Sequence, residues 1–120
     1  MQRFMLKSKI HRATLTGADL DYEGSITIDR TLMEAADLVA GEQVHVLNVS
    51  NGSRIVTYVI GGEAGSGSVV LNGPAARSGL VGDQVTILAY AAVADEEARS
   101  LRPKVVKVDR HNRAKGARYV

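Results

Sequence analysis

Cysteine and tryptophan are absent from the 120 residues, and aromatic residues make up only 4% of them. Without cysteine the chain has no disulfide framework and no thiolate metal site, so we expect a reducing, cytoplasmic compartment and no bound metal. Because aromatic rings are so few, the core must be built from Val, Ile, Leu and Ala, which favours strands. No apolar run is long enough to span a membrane and no N-terminal signal pattern is present, so we expect no membrane partner.

Positive charge is concentrated at one end of the chain. From Arg102 to the C-terminus there are seven Lys or Arg residues and one acid, although the net charge of the chain is only +2. Such a tail could attract nucleic acid or an acidic partner. A solvated terminus is the simpler interpretation, and we expect no nucleic-acid partner. For residues 104–120 we predict an edge strand over 104–108, guarded by lysines, followed by a flexible basic tail.

Hydrophobic alternation predicts a mainly β chain with short helices. The predicted strands are 4–16, 25–28, 43–49, 54–60, 68–71 and 84–90, and the predicted helices are 32–38, 72–78 and 95–100. Within the first strand, Lys9 and His11 share parity and should project from one face, while Ile10 faces the other way. The Asn51-Gly52 pair is a hairpin signal between two of these strands.

Two segments of the sequence echo each other. Gly41-Glu42-Gln43-Val44-His45-Val46-Leu47 matches Gly82-Asp83-Gln84-Val85-Thr86-Ile87-Leu88. Each segment follows a short predicted helix, and each of those helices follows a predicted strand. Two copies of strand, helix, Gly-acid turn and strand predict a pseudo-twofold barrel that closes its own edges.

The pair Gly24-Ser25 follows two acidic residues and, taken alone, is a turn that leads into a strand. The other motifs of the chain give this pair a functional interpretation. In their order and spacing they resemble the aspartate 1-decarboxylases, small pyruvoyl-dependent enzymes of pantothenate biosynthesis. The resemblance covers residues 1 to about 103 with the spacings kept, in Met5-Leu6-Lys7-Ser8-Lys9-Ile10-His11-Arg12, Tyr22-Glu23-Gly24-Ser25, Asn48-Val49-Ser50-Asn51-Gly52, Arg54, Thr57-Tyr58, Asn72-Gly73, Val81-Gly82-Asp83 and Asp95-Glu96-Glu97-Ala98-Arg99.

The resemblance implies a fold, a maturation step and an assembly. The fold is a six-stranded double-psi β-barrel with short helices, which would make residues 1–103 the catalytic domain. The chain would cut itself into residues 1–24 and 25–120, and Ser25 would become a covalent pyruvoyl cofactor. The family forms homotetramers with active sites between neighbouring subunits. Whether cleavage is spontaneous or needs a maturation factor stays open at this point.

The resemblance also implies which residues carry out the self-processing. Ser25 Oγ would attack the carbonyl of Gly24, and elimination followed by loss of ammonia would leave the pyruvoyl group. Gly24 suits this step because it tolerates strained backbone dihedrals. A donor must stabilise the oxyanion as it forms, and the family's matching residue here is Thr57.

The mature enzyme would decarboxylate L-aspartate at its α-carboxylate to give β-alanine and CO2, through a Schiff base on the pyruvoyl group at position 25. Tyr58 is the candidate proton donor to Cα, because phenol groups are protonated at neutral pH. Arg54 could bind a carboxylate in bidentate fashion and Lys9 as a point charge. The candidate substrate-binding residues are Lys9, Arg54, Thr57, Asn72, Gly73, Pro74 and Ala75.

Two features of these candidates need care. Pro74 departs from the small residue usual in the family and has no N–H, so backbone donors must come from its neighbours. Thr57 and Tyr58 are adjacent on an alternating strand and should point to opposite faces. A site that uses both side chains therefore needs a bulge in the strand or a position at a subunit boundary, which the family's tetramer would provide.

Two other functions fit parts of the sequence. Residues 28–32 through 41–44 also resemble the swapped-hairpin transcription regulators, which bind DNA as dimeric barrels; those modules are usually much shorter and have no use for Gly24-Ser25. The chain could also be a barrel that has lost self-processing and acts as a binding module. Cleavage at Gly24-Ser25 would distinguish the enzyme from both alternatives.

Overall fold

A computed structural model describes all residues from 1 to 120. The strands are β1 (Gln2–Thr14), β2 (Gly17–Asp19), β3 (Ser25–Asp29), β4 (Gln43–Asn48), β5 (Arg54–Gly62), β6 (Val69–Asn72), β7 (Gln84–Ala94), β8 (Lys104–Val108) and β9 (Ala114–Tyr119). The helices are α1 (Arg30–Ala35), a 3₁₀ helix (Gly73–Ser78) and α2 (Asp95–Ala98). None of the helices is long and apolar enough to cross a membrane.

The strands form one sheet in the order β2-β6-β3-β5-β4-β7-β1-β8-β9. Strands β1 and β2 belong to one extended segment, which pairs through β1 with β7 and through β2 with β6. Between the two strands the N–H of Leu15 donates to Asp83 O, just before β7, and that of Thr16 donates to Val69 O on β6, each at 2.8 Å. The sheet therefore closes into a barrel of six strands when β1 and β2 are counted together, and β8 and β9 lie outside the ring. The mainly β, six-stranded barrel is confirmed.

The core of the barrel is aliphatic, as the composition predicts. It contains no aromatic ring, and each of its members is at most 8% exposed. They are Ile10, Ala13, Leu15, Ile26, Ile28, Leu32, Met33, Ala36, Leu38, Val44, Val46, Val59, Val69, Leu71, Ala75, Val85, Ile87, Ala89 and Val106. Buried positions alternate with half-buried or exposed ones along β4 and the first half of β7, as strand periodicity predicts, whereas every residue of β3 except Thr27 is buried.

The two echoing segments adopt the same local structure. In one copy Glu42 Oε1 accepts from the N–H of Val39 at 3.1 Å, and in the other Asp83 Oδ2 accepts from the N–H of Leu80 at 3.0 Å. The glycine before each acid has a positive φ, +88° and +95°, which favours glycine at that position. The pseudo-twofold relation read from the sequence is thus visible in the turns.

The C-terminal segment differs from the flexible tail that we expected. Strand β8 pairs in parallel with β1, and β9 pairs with the other side of β8, so β8 is not the edge. The turn between them is fastened by Asn112, which is buried: its Nδ2 donates to Thr14 O and Gly67 O, and its Oδ1 accepts from Thr14 N, all at 2.8 Å. One buried amide in a basic segment is not visible in composition or charge.

Asp29 ties α1 to the loop that precedes β6. The residue is 4% exposed, and its carboxylate accepts from the N–H groups of Thr31, Gly65 and Gly67 at 2.8 to 2.9 Å. Burial alone raises the pKa of Asp29, but the hydrogen bonds from the backbone, led by Gly67 and Gly65, lower it more, so the net pKa lies below its ordinary value.

We expect Asp29→Asn to lower the free energy of unfolding at pH 7 by about 2–4 kcal/mol, because an amide N–H would face a backbone N–H. A depressed pKa stabilises the fold above the unfolded pKa, and this contribution is lost as the pH falls through the folded pKa. Urea unfolding at pH 7 and pH 3 should therefore give a difference that shrinks in acid. Asp21→Asn, at an exposed carboxylate, is the control; an equal Asp29→Asn effect at both pH values would contradict the ionised carboxylate as the cause.

Candidate active site

Ser25 opens β3 at one end of the barrel and is completely buried. Its hydroxyl donates to Glu23 O at 2.8 Å and accepts from Asn72 Nδ2 at 3.0 Å. Ser25 and Asn72 are direct partners across the antiparallel β3–β6 ladder, so the sheet register brings the amide to the hydroxyl. The Ser25 Oγ therefore has a fixed position next to the Gly24–Ser25 peptide bond.

Asn72 was predicted as a substrate-binding residue, and the structure places it against Ser25. It is 3% exposed, and its Nδ2 also donates to Thr27 Oγ1 at 2.9 Å. Both N–H groups of the amide thus have acceptors within the chain. Thr27 was missed by sequence reasoning, although it shares strand parity with Ser25 on β3, which could have found it.

Gly73 packs backbone to backbone against the Gly24 segment. Its φ is +62°, and an added Cβ would lie 2.8 Å from Gly24 Cα, Gly24 N and Tyr22 O, all of which are main-chain atoms. No side chain fits there. Pro74 follows at the start of the 3₁₀ helix, and its ring lies beside Gly24, with Cδ 3.4 Å from where a Cβ on Gly24 would be.

A cavity of about 310 Å³ opens beside Gly24. It brings together four of the predicted residues, Gly24, Thr57, Pro74 and Ala75, and its other lining residues are Ile55, Val56 and Ser78. The hydroxyl of Thr57 forms no hydrogen bond within the chain. Thr57 is thus free to donate to an oxygen at the Gly24 carbonyl or on a bound molecule.

The remaining predicted residues lie on another side of the barrel wall. Strands β4 and β5 pair without a bulge, from Gln43 opposite Tyr58 to Leu47 opposite Arg54. Thr57 is half-buried whereas Tyr58 is 38% exposed and Arg54 is exposed. The two neighbours therefore do face opposite ways, and neither Tyr58 nor Arg54 lines the cavity beside Gly24.

We use the term outer face for the side of β4, β5 and β7 that carries His45, Arg54, Tyr58 and Tyr90. Lys9 belongs to the same face, because its direct partner on β7 is Leu88, which is also the direct partner of His45. Within one chain the structure thus separates the predicted cations and Tyr58 from Ser25. For Thr57 and Tyr58, strand alternation predicted either a bulge or a site at a subunit boundary, and the β4–β5 pairing has no bulge.

The surroundings of Lys9 are strongly positive. Burial, and then the charges of Lys9, Arg12 and Lys107, lower the pKa of His11, which keeps its imidazole neutral at pH 7. His11 Nδ1 is buried and has no hydrogen-bond partner. A group of cations without acidic partners attracts anions, and a dicarboxylate such as aspartate is one of them.

Arg54 has two hydrogen-bond partners that were not predicted from the sequence. Its Nη2 lies 3.1 Å from His45 Nδ1 and donates to Tyr90 Oη at 3.2 Å. His45, Arg54 and Tyr90 come from three adjacent strands, so their meeting depends on sheet register. Only the shared outward parity of His45 and Tyr90 gave a hint of it.

Comparison with known proteins decides the family. A family model described as Aspartate decarboxylase matches residues 1–115. The chain belongs to the aspartate decarboxylase family. The barrel, the Gly24-Ser25 pair and the cavity beside it are therefore those of an aspartate decarboxylase family member, and the resemblance inferred from the motifs is confirmed.

Several curated relatives of this aspartate decarboxylase family member bear the name Aspartate 1-decarboxylase. The protein of Thermoanaerobacter pseudethanolicus is 57% identical over 94% of this chain and 97% of its own length. One from Dehalococcoides mccartyi is 60% identical over 91% of this chain and 88% of its own. That of Syntrophus aciditrophicus is 57% identical over 96% of this chain and 99% of its own.

Proposed function

We propose that this chain decarboxylates L-aspartate to β-alanine and CO2, the step that provides β-alanine for pantothenate biosynthesis, after cutting itself between Gly24 and Ser25. Family membership supports the reaction. The observation that supports self-processing is the buried Ser25 hydroxyl, fixed by Asn72 at 3.0 Å and adjacent to the Gly24 carbonyl.

The residues around position 25 fit a pyruvoyl group made from Ser25. The site is enclosed, the Asn72 amide supplies an N–H donor at the position of the Ser25 oxygen, and a cavity of about 310 Å³ for a small substrate opens beside Gly24. A pyruvoyl group supplies a ketone with which the substrate amine condenses, and this carbonyl system accepts the electrons released when the carboxylate leaves.

Self-processing can be written as steps that use the residues around Gly24 and Ser25. Ser25 Oγ attacks the carbonyl carbon of Gly24; the C–O bond forms, the C–N bond breaks, and the hydroxyl proton passes to the nitrogen of Ser25. Thr57 donates to the Gly24 oxygen while it carries negative charge. Loss of the Cα proton of residue 25 expels Gly24 as a carboxylate, and water then replaces the nitrogen, which leaves as ammonia.

The close packing of Gly73 on Gly24 supports this first step. Because main-chain atoms meet there without intervening side chains, the Gly24 carbonyl cannot easily move away from the hydroxyl. Fixed geometry between a nucleophile and its target replaces an entropic cost that a flexible loop would incur. Asn72 contributes in the same way by orienting Ser25 Oγ.

For decarboxylation, the outer face supplies the remaining groups. Lys9 and Arg54 bind the carboxylates of L-aspartate, and the Tyr58 hydroxyl donates the proton that Cα receives after CO2 has left. None of these three residues lines the cavity beside Gly24 within one chain, so we infer that a complete site requires the outer face of a second copy. The exposed apolar side chains Phe4, at 85%, and Val56, at 56%, are consistent with such a contact.

This division of the site supports the homotetramer with active sites between subunits that the family resemblance implies. In a closed, symmetric assembly, the outer face of each subunit can meet the Gly24 cavity of a neighbour, so that every subunit completes the site of another. A time course of cleavage with the purified protein alone distinguishes spontaneous processing from processing that needs a maturation factor.

Intact-mass analysis of the purified protein tests the proposal. We expect two chains, residues 1–24 and 25–120, the second without a free N-terminal amine. Borohydride reduction in the presence of L-aspartate should add the substrate to the larger chain, and without reductant β-alanine should accumulate. Catalytically competent protein with an unmodified Ser25 would refute the proposal. A chain that stays uncut and inactive even after incubation with an extract of its own host cells, which would supply any maturation factor, would indicate a binding module.

A further inference from the structure

The guanidinium of Arg54 is held by two neutral side chains instead of an acid. Its Nη2 contacts His45 Nδ1 and Tyr90 Oη at 3.1 and 3.2 Å. The rings of His45 and Tyr90 in turn pack edge to face, with centroids 5.0 Å apart and planes at 63°. This aromatic pair is rigid compared with a surface carboxylate on a flexible stem.

Strand register explains why these three side chains meet. His45 on β4 lies opposite Val56 on β5 and opposite Leu88 on β7. Arg54 and Tyr90 are each two residues from those partners, on diagonals of the same face. Diagonal neighbours are close enough for long and aromatic side chains to touch.

The chemistry of the contact fixes the state of the imidazole. Arginine carries donors only, so His45 Nδ1 must accept and its ring proton must be on Nε2. The two N–H groups of Arg54 Nη2 then have acceptors in His45 and Tyr90. The N–H groups of Nη1 and Nε have none within the chain.

The charge of Arg54 remains available. No Asp or Glu lies within ion-pair distance of it, in contrast to Lys7, whose Nζ is 2.7 Å from Glu42. Neutral acceptors orient a guanidinium without cancelling its attraction for an external carboxylate, whereas an acidic partner would compete with that carboxylate.

We propose that His45 and Tyr90 are positioning residues that fix Arg54 on the outer face so that its free N–H groups bind a substrate carboxylate. This inference rests on the function proposed above, in which Arg54 binds aspartate. His45 and Tyr90 act through Arg54 and have no contact of their own with the substrate. Their removal should weaken substrate binding and leave the chemical step unchanged.

Tyr90→Phe and His45→Leu test the inference in the processed enzyme. Each removes one hydrogen bond, so each should raise KM for L-aspartate about three- to tenfold while kcat changes less than twofold. His45→Asn should restore a KM near wild type, because its side-chain oxygen can accept from Arg54. Tyr119→Phe, an exposed tyrosine on β9, is the matched control.

A double-mutant cycle separates positioning from a general structural effect. In an Arg54→Ala background, Tyr90→Phe should not raise KM further, since the residue it positions is gone. A further rise in KM, or a loss of kcat in the single variants, would overturn the inference. Wild-type enzyme without decarboxylase activity would instead refute the proposed function.

A measurement independent of activity completes the test. Long-range ¹H–¹⁵N spectra at pH 7.5 should show His45 with its proton on Nε2 and an unprotonated Nδ1. In Arg54→Ala the tautomer preference should be lost. Detection of a proton on Nδ1 in the wild-type protein would overturn the inference whatever the kinetics show.

Discussion

Ser25→Ala is expected to leave a single uncut chain with no detectable aspartate decarboxylation. The substitution removes the oxygen that would attack Gly24 and also the precursor of the proposed cofactor, so both losses should occur together. The variant leaves one Asn72 N–H without its acceptor, which lowers the free energy of unfolding by about 1–3 kcal/mol. Because this loss is small, the fold should survive. Intact mass, an assay of released β-alanine and a thermal unfolding curve measure the three properties.

Thr27→Val is the matched control for this variant. Thr27 is the second acceptor of Asn72, on the same face of β3, at 2.9 Å from the same nitrogen. Removing its hydroxyl disturbs the same amide without touching the scissile bond, so cleavage should proceed. If Ser25→Ala were cut, or if the uncut variant were active, self-processing at this serine would be wrong.

Tyr58→Phe is expected to be processed normally but to turn over aspartate roughly 10²- to 10⁴-fold more slowly, the range typical for loss of a general acid. The phenol hydroxyl has no hydrogen-bond partner within the chain, and Tyr58 as a residue is 38% exposed, so removal of the hydroxyl should not affect stability. Intact mass reports processing and kcat at saturating aspartate reports chemistry. Normal turnover would remove Tyr58 from the mechanism, and Tyr119→Phe serves as the control.

Mixing the two inactive variants tests whether Tyr58 and Ser25 act in different subunits. If each site combines Ser25 of one subunit with Tyr58 of another, random co-assembly of Ser25→Ala and Tyr58→Phe should restore about a quarter of the sites. If both residues act within one subunit, the mixture should stay inactive. The opposite orientations of Thr57 and Tyr58 on an unbulged strand favour the first outcome.

Most of the confirmed structural predictions rest on strand periodicity. Alternation placed Ile26 and Ile28 in the core and set Thr57 and Tyr58 on opposite faces, because side-chain direction in a strand is a local property. The echo of Gly41-Glu42 in Gly82-Asp83 predicted the pseudo-twofold turns for the same reason. Such local patterns need no knowledge of which strands pair.

The contacts that could not be predicted all depend on pairing between distant segments. Asn72 meets Ser25, and His45 meets Arg54, only because of the register of particular ladders. Asn112 anchors the C-terminal turn through atoms of Thr14 and Gly67, and nothing near it in sequence signals that. Strand register and hydrogen bonds between distant segments depend on the whole fold, and one sequence does not reveal them.

The position of β1 has a consequence for the mature protein. This strand lies between β7 and β8, and its residue Ile10 is completely buried, yet after a cut at Gly24 it would belong to the short fragment. No peptide bond would then join β1 to the larger chain. The hydrogen bonds to β7 and β8 and the buried apolar side chains of β1 would hold it in place. Processing would then give a protein of two chains that unfolds in a single transition. Residues 1–24 would dissociate only when residues 25–120 unfold.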